Sequence, residues 1–236
     1  HHIVGDGWSL TPLTEDLKRA YVSRCQEEAP KWTALPVQYT DYALWQEKLL
    51  DNKQDTKTLA DEQLAYWQET LADLPDYLEL PTDYSRPLES SYQGETYQFT
   101  IRPELHQQLL DIAAQNGVSL FMTLQAGLTA LLTRLGAGTD IPLGSPVAGR
   151  NDDTLTDLVG LFINTLVLRT DTSGNPSFRE LLDRVRTVNI NAYENQDLPF
   201  ERLVEVLNPV RSRSKHPLFQ IMLALQNTTA PDLNLP

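Results

Sequence analysis

The chain opens with two histidines, a three-residue spacer and an Asp-Gly pair, written HHIVGDGWS over residues 1–9. An imidazole held in one tautomer can orient a substrate or exchange a proton with it near neutral pH. We expect Gly7 to permit a backbone shape that a side chain would forbid, and Asp6 can brace the loop by pairing with an arginine. The pattern predicts a histidine-centred catalytic loop, although two histidines at the first positions are also typical of a purification-tag stub.

Arg150 is the arginine best placed to pair with Asp6. It ends the turn GSPVAGR, which comes directly after an apolar run that predicts a buried strand. On the pattern alone, Arg150 could equally be an ordinary surface arginine. The sequence holds no glycine-rich phosphate loop, HExxH zinc helix or GxSxG elbow, and His106 lies in a polar stretch that predicts an exposed side chain. The histidine loop is therefore the one catalytic constellation that the motifs indicate, and no metal site is expected.

Helical and strand patterns alternate behind this loop and indicate an α/β protein. Helices are predicted over residues 11–24, 40–49, 64–71, 103–116, 120–135, 178–193 and 200–207. Strands are predicted over residues 95–101, 141–147, 161–168 and 218–225. Pro75, Pro81 and Pro87 punctuate an irregular crossing, which predicts a boundary between two lobes near residue 92.

Composition limits the class of protein. The 236 residues are 41% hydrophobic, enough to bury a substantial core, and no apolar run reaches the roughly 20 residues that cross a bilayer. The formal charge of -13 would repel a phosphate backbone, so nucleic acid is not an expected partner. Cys25, the only cysteine, is expected half-buried on a helix, and a cytoplasmic location fits best. Arg211, Arg213 and Lys215 form a basic cluster that is either a solvated loop or a docking point for an anionic partner.

Five segments in order resemble the motifs of condensation domains from nonribosomal peptide synthetases. HHIVGDGWS resembles the family's HHxxxDGxS, YTDYALWQ over residues 39–46 its YxDYAxWQ, and VGLFINTL over residues 159–166 its VGxFxNTL. NQDLPFE over residues 195–201 resembles HQDxPFE, with Asn195 in place of the usual histidine, and HPLFQ over residues 216–220 resembles xPLFQ. A tag stub would not explain the four companion segments.

The resemblance implies a chloramphenicol-acetyltransferase-like fold with two lobes and a tunnel between them. Residues 1–92 would be the remainder of the first lobe and residues 93–236 the second lobe, with most of the first lobe and the end of the second missing from this chain. Donor and acceptor carrier proteins would deliver thioesters from opposite faces on their 4′-phosphopantetheine arms, and an adenylation domain would be adjacent. The domain itself would bind no cofactor and no membrane.

The resemblance also implies roles for individual residues. His2 would be catalytic, with Gly7 close to the reacting groups, while His1, Asp6 and Arg150 would support the site. Trp8, Ser9 and Asn164 are candidates for the tunnel wall, although backbone groups could instead satisfy Asn164. The basic cluster of Arg211, Arg213 and Lys215 is a candidate contact for a carrier protein.

The implied reaction is peptide-bond formation, with His2 acting as a general base or as a hydrogen-bond partner that positions the amine. An epimerization domain shares the histidine motif, but its typical DGVSW differs from the DGWS found here, which resembles domains that accept an L-configured donor. A free-standing acyltransferase using coenzyme A would lack the companion segments, and a heterocyclization domain replaces the paired histidines with aspartates. A catalytically silent carrier-docking module stays an open alternative.

Overall fold

The computed structural model describes residues 1–51, 57–75, 77–85, 87–209 and 212–226. Its helices are α1 (Leu10–Cys25), α2 (Tyr39–Leu50), α3 (Leu59–Thr70), α4 (Pro103–Asn116), α5 (Leu120–Arg134), α6 (Phe178–Glu194) and α7 (Phe200–Leu207). Strands β1 (Asp140–Val147) and β2 (Asn164–Asp171) pair with each other, and short 3-10 turns cover His2–Val4 and Asp153–Leu155. The predicted α/β class is confirmed. None of the helices in these ranges combines the length and apolar character needed to cross a bilayer.

The contacts divide the chain into two compact units. The first contains the described parts of residues 1–62 and 146–164 together with Gln226, and the second contains those of residues 63–145 and 165–225. The first unit therefore combines stretches that are far apart in sequence, which differs from a single boundary near residue 92. The assignment of residues 1–92 and 93–236 to two lobes stays a prediction.

Local capping residues set the ends of the helices in the second unit. Helix α4 ends at Gly117, which adopts the left-handed conformation with φ 61°. The Ser119 side chain accepts a hydrogen bond from the Met122 N–H at the start of α5. Ser177 and Glu180 form a reciprocal capping box at the start of α6. These signals lie within a few residues of each boundary, so the predicted limits of these helices are correct to within one residue.

The core of the second unit lies between the helices and along β1. Leu182 and Val185 of α6 pack with Ala126 of α5 and are completely buried. Ile141 and Leu143 of β1 form a second apolar cluster, in which each is 0% exposed. Burying aliphatic side chains of this size contributes roughly 1.5–3 kcal/mol each.

Two predicted strands and one predicted burial differ from the structure. Residues 95–101 form no strand; Tyr97 and Phe99 are 88% and 78% exposed, and no described strand lies beside them to satisfy their backbone groups. The strand predicted over residues 218–225 is reduced to a single parallel bridge between Gly144 and Met222. Cys25 is exposed at the end of α1, because that face of the helix packs against no described residues that would bury it.

Candidate active site

The paired histidines lie on an exposed turn at the start of the first unit. His2 begins the 3-10 turn that ends at Val4, and the His1 Nδ1 atom accepts a hydrogen bond from the Ile3 N–H at 3.2 Å. Both imidazoles are exposed, and the described residues offer the His2 side chain no hydrogen-bond partner. His2 is therefore open to a substrate, with its backbone, rather than its side chain, held by the fold.

Asp6 is the buried anchor behind this turn, with only 4% of its surface exposed. Its Oδ2 atom accepts a hydrogen bond from the Phe162 N–H at 3.0 Å. Its Oδ1 atom accepts from the Ser9 N–H at 2.9 Å and from the Ser9 hydroxyl at 2.8 Å. Arg150 Nη2 lies 3.3 Å from the same oxygen. The predicted pairing of Asp6 with Arg150 is present, and the carboxylate is almost completely surrounded by donors.

The pKa of Asp6 reflects this environment. Burial alone would raise the pKa of the carboxyl group, because it disfavours the charged form. Hydrogen bonds from Phe162 and Ser9, together with the charge of Arg150, outweigh burial and hold the pKa below its ordinary value of 3.8. Asp6 is therefore a carboxylate at neutral pH and serves as an acceptor.

Arg150 is held from several sides. Its Nη1 atom donates to the carbonyl oxygens of Leu155 and Leu158, the second at 2.9 Å. The guanidinium carbon lies 4.1 Å from the centre of the Phe162 ring, a cation–π contact. The side chain is only 7% exposed, so it is not an ordinary surface arginine.

Ser9 joins the ion pair to a second stretch of backbone. Its hydroxyl accepts hydrogen bonds from Arg150 Nη2 at 3.0 Å and from the Gly160 N–H at 3.1 Å. Its single proton can be donated to Asp6 or to the Gly160 carbonyl, at 2.8 and 2.9 Å. Ser9 is 2% exposed, so the structure buries it in this network, and its position on a tunnel wall stays a prediction. A serine three residues after an aspartate is typical of side-chain-to-backbone turns, a signal from which this position could have been found.

We call Asp6, Ser9, Arg150 and Phe162 the brace. Two glycines let neighbouring segments approach it closely. A Cβ atom at Gly149, where φ is 66°, would lie 1.9 Å from the Phe162 carbonyl oxygen, and one at Gly160 would lie 2.2 Å from the Tyr39 ring.

Gly7 does not have the backbone role expected of it. Its φ is not among the positive values, and a Cβ atom there would meet nothing within 4 Å. The expectation that Gly7 supplies a shape forbidden to a side chain is therefore wrong. Gly7 lies on an exposed loop next to Asp6, and the space beside its Cα atom is open.

The segments YTDYALWQ and VGLFINTL meet in the first unit. The Tyr39 hydroxyl donates a hydrogen bond to the Leu161 carbonyl at 2.8 Å. The Phe162 ring packs against the rings of Tyr39 and Tyr42, with centroids 5.3 and 4.6 Å apart. Since Phe162 also donates its N–H to Asp6, these two segments and the histidine loop form one connected structure.

The NQDLPFE segment is held within the second unit by α3. Gln63 Nε2 donates to Asp197 Oδ2 at 2.9 Å, and Gln63 Oε1 accepts from the Leu198 N–H at 2.8 Å. The Trp67 indole N–H donates to the Asn195 carbonyl at 2.8 Å. The sequence carries no local signal for the role of Gln63, because its partners lie about 130 residues away.

The remaining predicted residues are distributed as follows. Trp8 is half-buried, and Asn164 is partly buried at the first position of β2. Arg213 forms an ion pair with Glu89 at 2.7 Å, and the Lys215 ammonium lies 3.8 Å from the centre of the Tyr77 ring. Arg211 lies outside the described residues. Within the described ranges, no group of three or more His, Cys, Asp or Glu residues could hold a metal ion.

Comparison with protein families gives a match to the model described as "Condensation domain" over residues 1–234. The "Dimodular nonribosomal peptide synthase" of Bacillus subtilis (strain 168) is 71% identical over 236 residues, which cover 100% of this chain and 10% of that protein. The "Isonitrile lipopeptide synthase" of Mycobacterium tuberculosis (strain ATCC 25618 / H37Rv) is 47% identical over 235 residues, which cover 100% of this chain and 9% of that protein. The chain therefore spans a tenth or less of the length of these relatives.

Solved structures give a matching result for the fold. The X-domain from teicoplanin biosynthesis superposes with a TM-score of 0.86 at 33% identity, covering 94% of this chain and 49% of that one. The same domain in its complex with OxyB gives 0.86 at 32% identity, with the same coverage. The first condensation domain of the CDA synthetase gives 0.71 at 22% identity, covering 99% of this chain and 49% of that one, a likeness of fold alone. These likenesses confirm the predicted chloramphenicol-acetyltransferase-like fold.

Proposed function

This chain belongs to the condensation domains of nonribosomal peptide synthetases, and from that premise we propose that it catalyses peptide-bond formation. The α-amine of an acceptor aminoacyl thioester attacks the carbonyl carbon of a donor aminoacyl or peptidyl thioester. The new C–N bond forms as the donor C–S bond breaks, and the amine proton leaves as the donor carrier regains its free thiol. The lengthened chain then stays on the acceptor's 4′-phosphopantetheine arm.

The observation that carries the proposal is the contrast between His2 and Asp6. His2 is exposed on a turn, whereas Asp6, four residues later, is 4% exposed and anchored by Phe162, Ser9 and Arg150. A catalytic group must be held within a fraction of an ångström of its productive position, and buried polar networks supply that rigidity. The brace therefore holds rigid the backbone of the loop that carries the exposed His2 imidazole.

His2 has two roles open to it. As a general base it would remove the amine proton and contribute roughly 10²–10⁴-fold to the rate. As a hydrogen-bond partner it would orient the amine and stabilise the charged tetrahedral intermediate, with up to roughly 7–11 kcal/mol coming from correct placement of both thioesters. We favour positioning with some base character, because the amine of an aminoacyl thioester is already a fair nucleophile.

Asp6 and Arg150 act through the backbone of the loop. Their side chains are 0% and 7% exposed, so we assign them a positioning role rather than a catalytic one. His1 supports the turn through its hydrogen bond with the Ile3 N–H. Gly7 keeps the space beside the reacting groups open, which is consistent with the absence of any described atom within 4 Å of a Cβ placed there.

The proposed partners are a donor and an acceptor carrier protein and an adjacent adenylation domain. The family's use of carrier-bound substrates supports the carriers. Arg213 and Lys215 are weak candidates for a carrier contact, since Glu89 and Tyr77 already engage them. Arg211 stays a prediction.

The test uses this domain in its complete synthetase module, supplied with a loaded donor carrier and a loaded acceptor carrier. Single-turnover formation of the dipeptidyl product is measured by mass spectrometry for the unmodified protein, His2→Ala and His106→Ala. His106 is exposed on α4 and serves as the matched control. We expect His2→Ala to lose at least tenfold in rate at every pH and His106→Ala to lose nothing. A rate loss smaller than tenfold in His2→Ala would contradict the general-base role of His2. Absence of dipeptidyl product with the unmodified protein would contradict the proposed activity.

A docking module without catalysis is the second candidate, and one observation favours it. The solved complex of the teicoplanin X-domain with OxyB, 32% identical to this chain, contains a domain of this fold bound to another protein. The intact His2, Asp6 and Gly7 favour catalysis instead. Carrier or partner binding without any dipeptidyl product would support the docking role.

A further inference from the structure

A small cavity in the first unit, distant in sequence from the histidine loop, lies between helix α2 and the 3-10 turn Asp153–Leu155. Its volume is about 300 Å³. We call it the Trp45 pocket, and it is lined by Val37, Asp41, Tyr42, Trp45, Asp152, Thr154 and Leu155. The proposed function uses none of these side chains to contact substrate.

The floor of the Trp45 pocket is apolar and firmly packed. Tyr42 and Leu155 are 8% and 7% exposed and belong to the cluster that contains Phe162. The Trp45 ring packs against Tyr42 with centroids 5.9 Å apart, yet 53% of Trp45 is exposed. The indole is exposed on one side and packed against Tyr42 on the other. Such a ring is a preformed surface for a flat or charged group, because the side chain loses little conformational entropy when a ligand covers it.

Two aspartates, Asp41 and Asp152, line the same pocket as this ring. Asp41 Oδ2 accepts from the Gln38 N–H at 2.8 Å, and Asp152 Oδ1 accepts from the N–H and the hydroxyl of Thr154 at 2.8 and 2.6 Å. These contacts engage one oxygen of each carboxylate, Oδ2 of Asp41 and Oδ1 of Asp152. Among the described residues, no lysine, arginine or histidine forms an ion pair with either of them.

The Thr154 hydroxyl and N–H also hold the pKa of Asp152 below its ordinary value of 3.8. The pocket therefore carries negative charge beside an aromatic face at neutral pH. Because like charges repel, the charge complement of such a pocket is a cation.

We propose that the Trp45 pocket binds an arginine side chain presented by a partner protein. A guanidinium group is planar, stacks on aromatic rings and donates through several N–H groups to carboxylates, whereas a lysine ammonium offers neither the plane nor the fork. The same unit already contains this arrangement internally, where Arg150 stacks on Phe162 and pairs with Asp6. This inference does not depend on the proposed catalytic activity.

The experiment titrates the full chain with Nα-acetyl-arginine N-methylamide and follows the indole N–H signal of Trp45 by two-dimensional ¹H–¹⁵N NMR. The signal is assigned by its loss in Trp45→Phe. Nα-acetyl-citrulline N-methylamide, nearly the same shape without the charge, is the control ligand. We expect a saturable shift with the arginine derivative and at least fivefold weaker binding of the citrulline derivative. Equal binding of both, or no saturable shift with arginine, overturns the proposal.

Two variants distinguish binding by the carboxylates that line the pocket from attraction by the general negative charge of the protein. Asp152→Asn keeps an acceptor for Thr154 but removes the charge, and Asp153→Asn removes a neighbouring charge that does not line the pocket. We expect Asp152→Asn to weaken arginine binding at least threefold and Asp153→Asn to leave it unchanged. Equal weakening by both variants overturns the proposal, because the long-range field alone would explain it.

Discussion

Arg150 Nη2 lies 3.3 Å from Asp6 Oδ1 and so joins two residues 144 positions apart in the chain. Their side chains are 7% and 0% exposed, whereas His2 lies on the surface. The pair therefore ties the turn after β1 to the base of the histidine loop.

Removal of the Asp6 carboxylate will destabilise the protein. In Asp6→Ala, Arg150 stays buried without its counter-charge, and breaking a buried pair in this way costs about 3–5 kcal/mol. Chemical denaturation of the variant and of Asp157→Ala, an exposed control, measures the difference. An unchanged free energy of unfolding in Asp6→Ala together with lost activity would contradict the positioning role of Asp6.

The contribution of Asp6 to stability will disappear in acid. Its folded pKa is below the ordinary value of 3.8, so the unfolded chain binds the proton more readily. This contribution is therefore complete above pH about 4 and declines as the pH falls through the lower folded pKa. The difference in unfolding free energy between the unmodified chain and Asp6→Asn is measured from pH 6 downward. We expect that difference to shrink below pH about 4; a constant difference would mean that Asp6 is not ionised preferentially in the folded state.

Loss of the Ser9 hydroxyl will leave the buried Gly160 N–H without its acceptor. In Ser9→Ala, the Gly160 N–H loses its acceptor, whereas Arg150 Nη2 keeps Asp6; an unsatisfied buried donor costs about 1–3 kcal/mol. Urea denaturation should show a lower midpoint than in Ser23→Ala, a half-buried serine on helix α1. Equal midpoints for the two variants would show that Ser9 is replaceable by water in the brace.

Gly149 and Gly174 provide a matched pair for testing close approach. Both have positive φ, at 66° and 80°, so alanine is strained at either one, at a cost of about 1–2 kcal/mol. A Cβ atom at Gly149 would also lie 1.9 Å from the Phe162 carbonyl oxygen, whereas at Gly174 it would meet open space. We expect Gly149→Ala to lower the free energy of unfolding by about 1–3 kcal/mol more than Gly174→Ala does. Equal losses would mean that the segment around Phe162 can shift away.

Features governed by short-range chemistry were predictable. The ends of α4, α5 and α6 follow from Gly117, Ser119 and Ser177, because a cap acts on backbone groups within one turn. The pairing of Asp6 with Arg150 is a different case: the turn that Arg150 ends made it a candidate and the family resemblance supported it, but the residue pattern alone left Arg150 equally an ordinary surface arginine.

Features that depend on distant neighbours were not predictable. Residues 95–101 alternate as a strand would, but a strand forms only where another segment accepts its hydrogen bonds, and no described segment does so there. Gly7 was expected to adopt a backbone shape that a side chain would forbid. The glycine that does so beside the brace is Gly149, because the Phe162 carbonyl leaves no room there for a Cβ atom.

The sequence by itself determined the family, the helices of the second unit and the identity of the catalytic candidate His2, because these depend on residue types at short spacing. The tertiary structure alone decided that Ser9 belongs to the brace, that Phe162 donates its N–H to Asp6 and that Arg150 is buried. These facts arise where segments about 140 to 160 residues apart meet, and no local pattern encodes which groups will be desolvated together there.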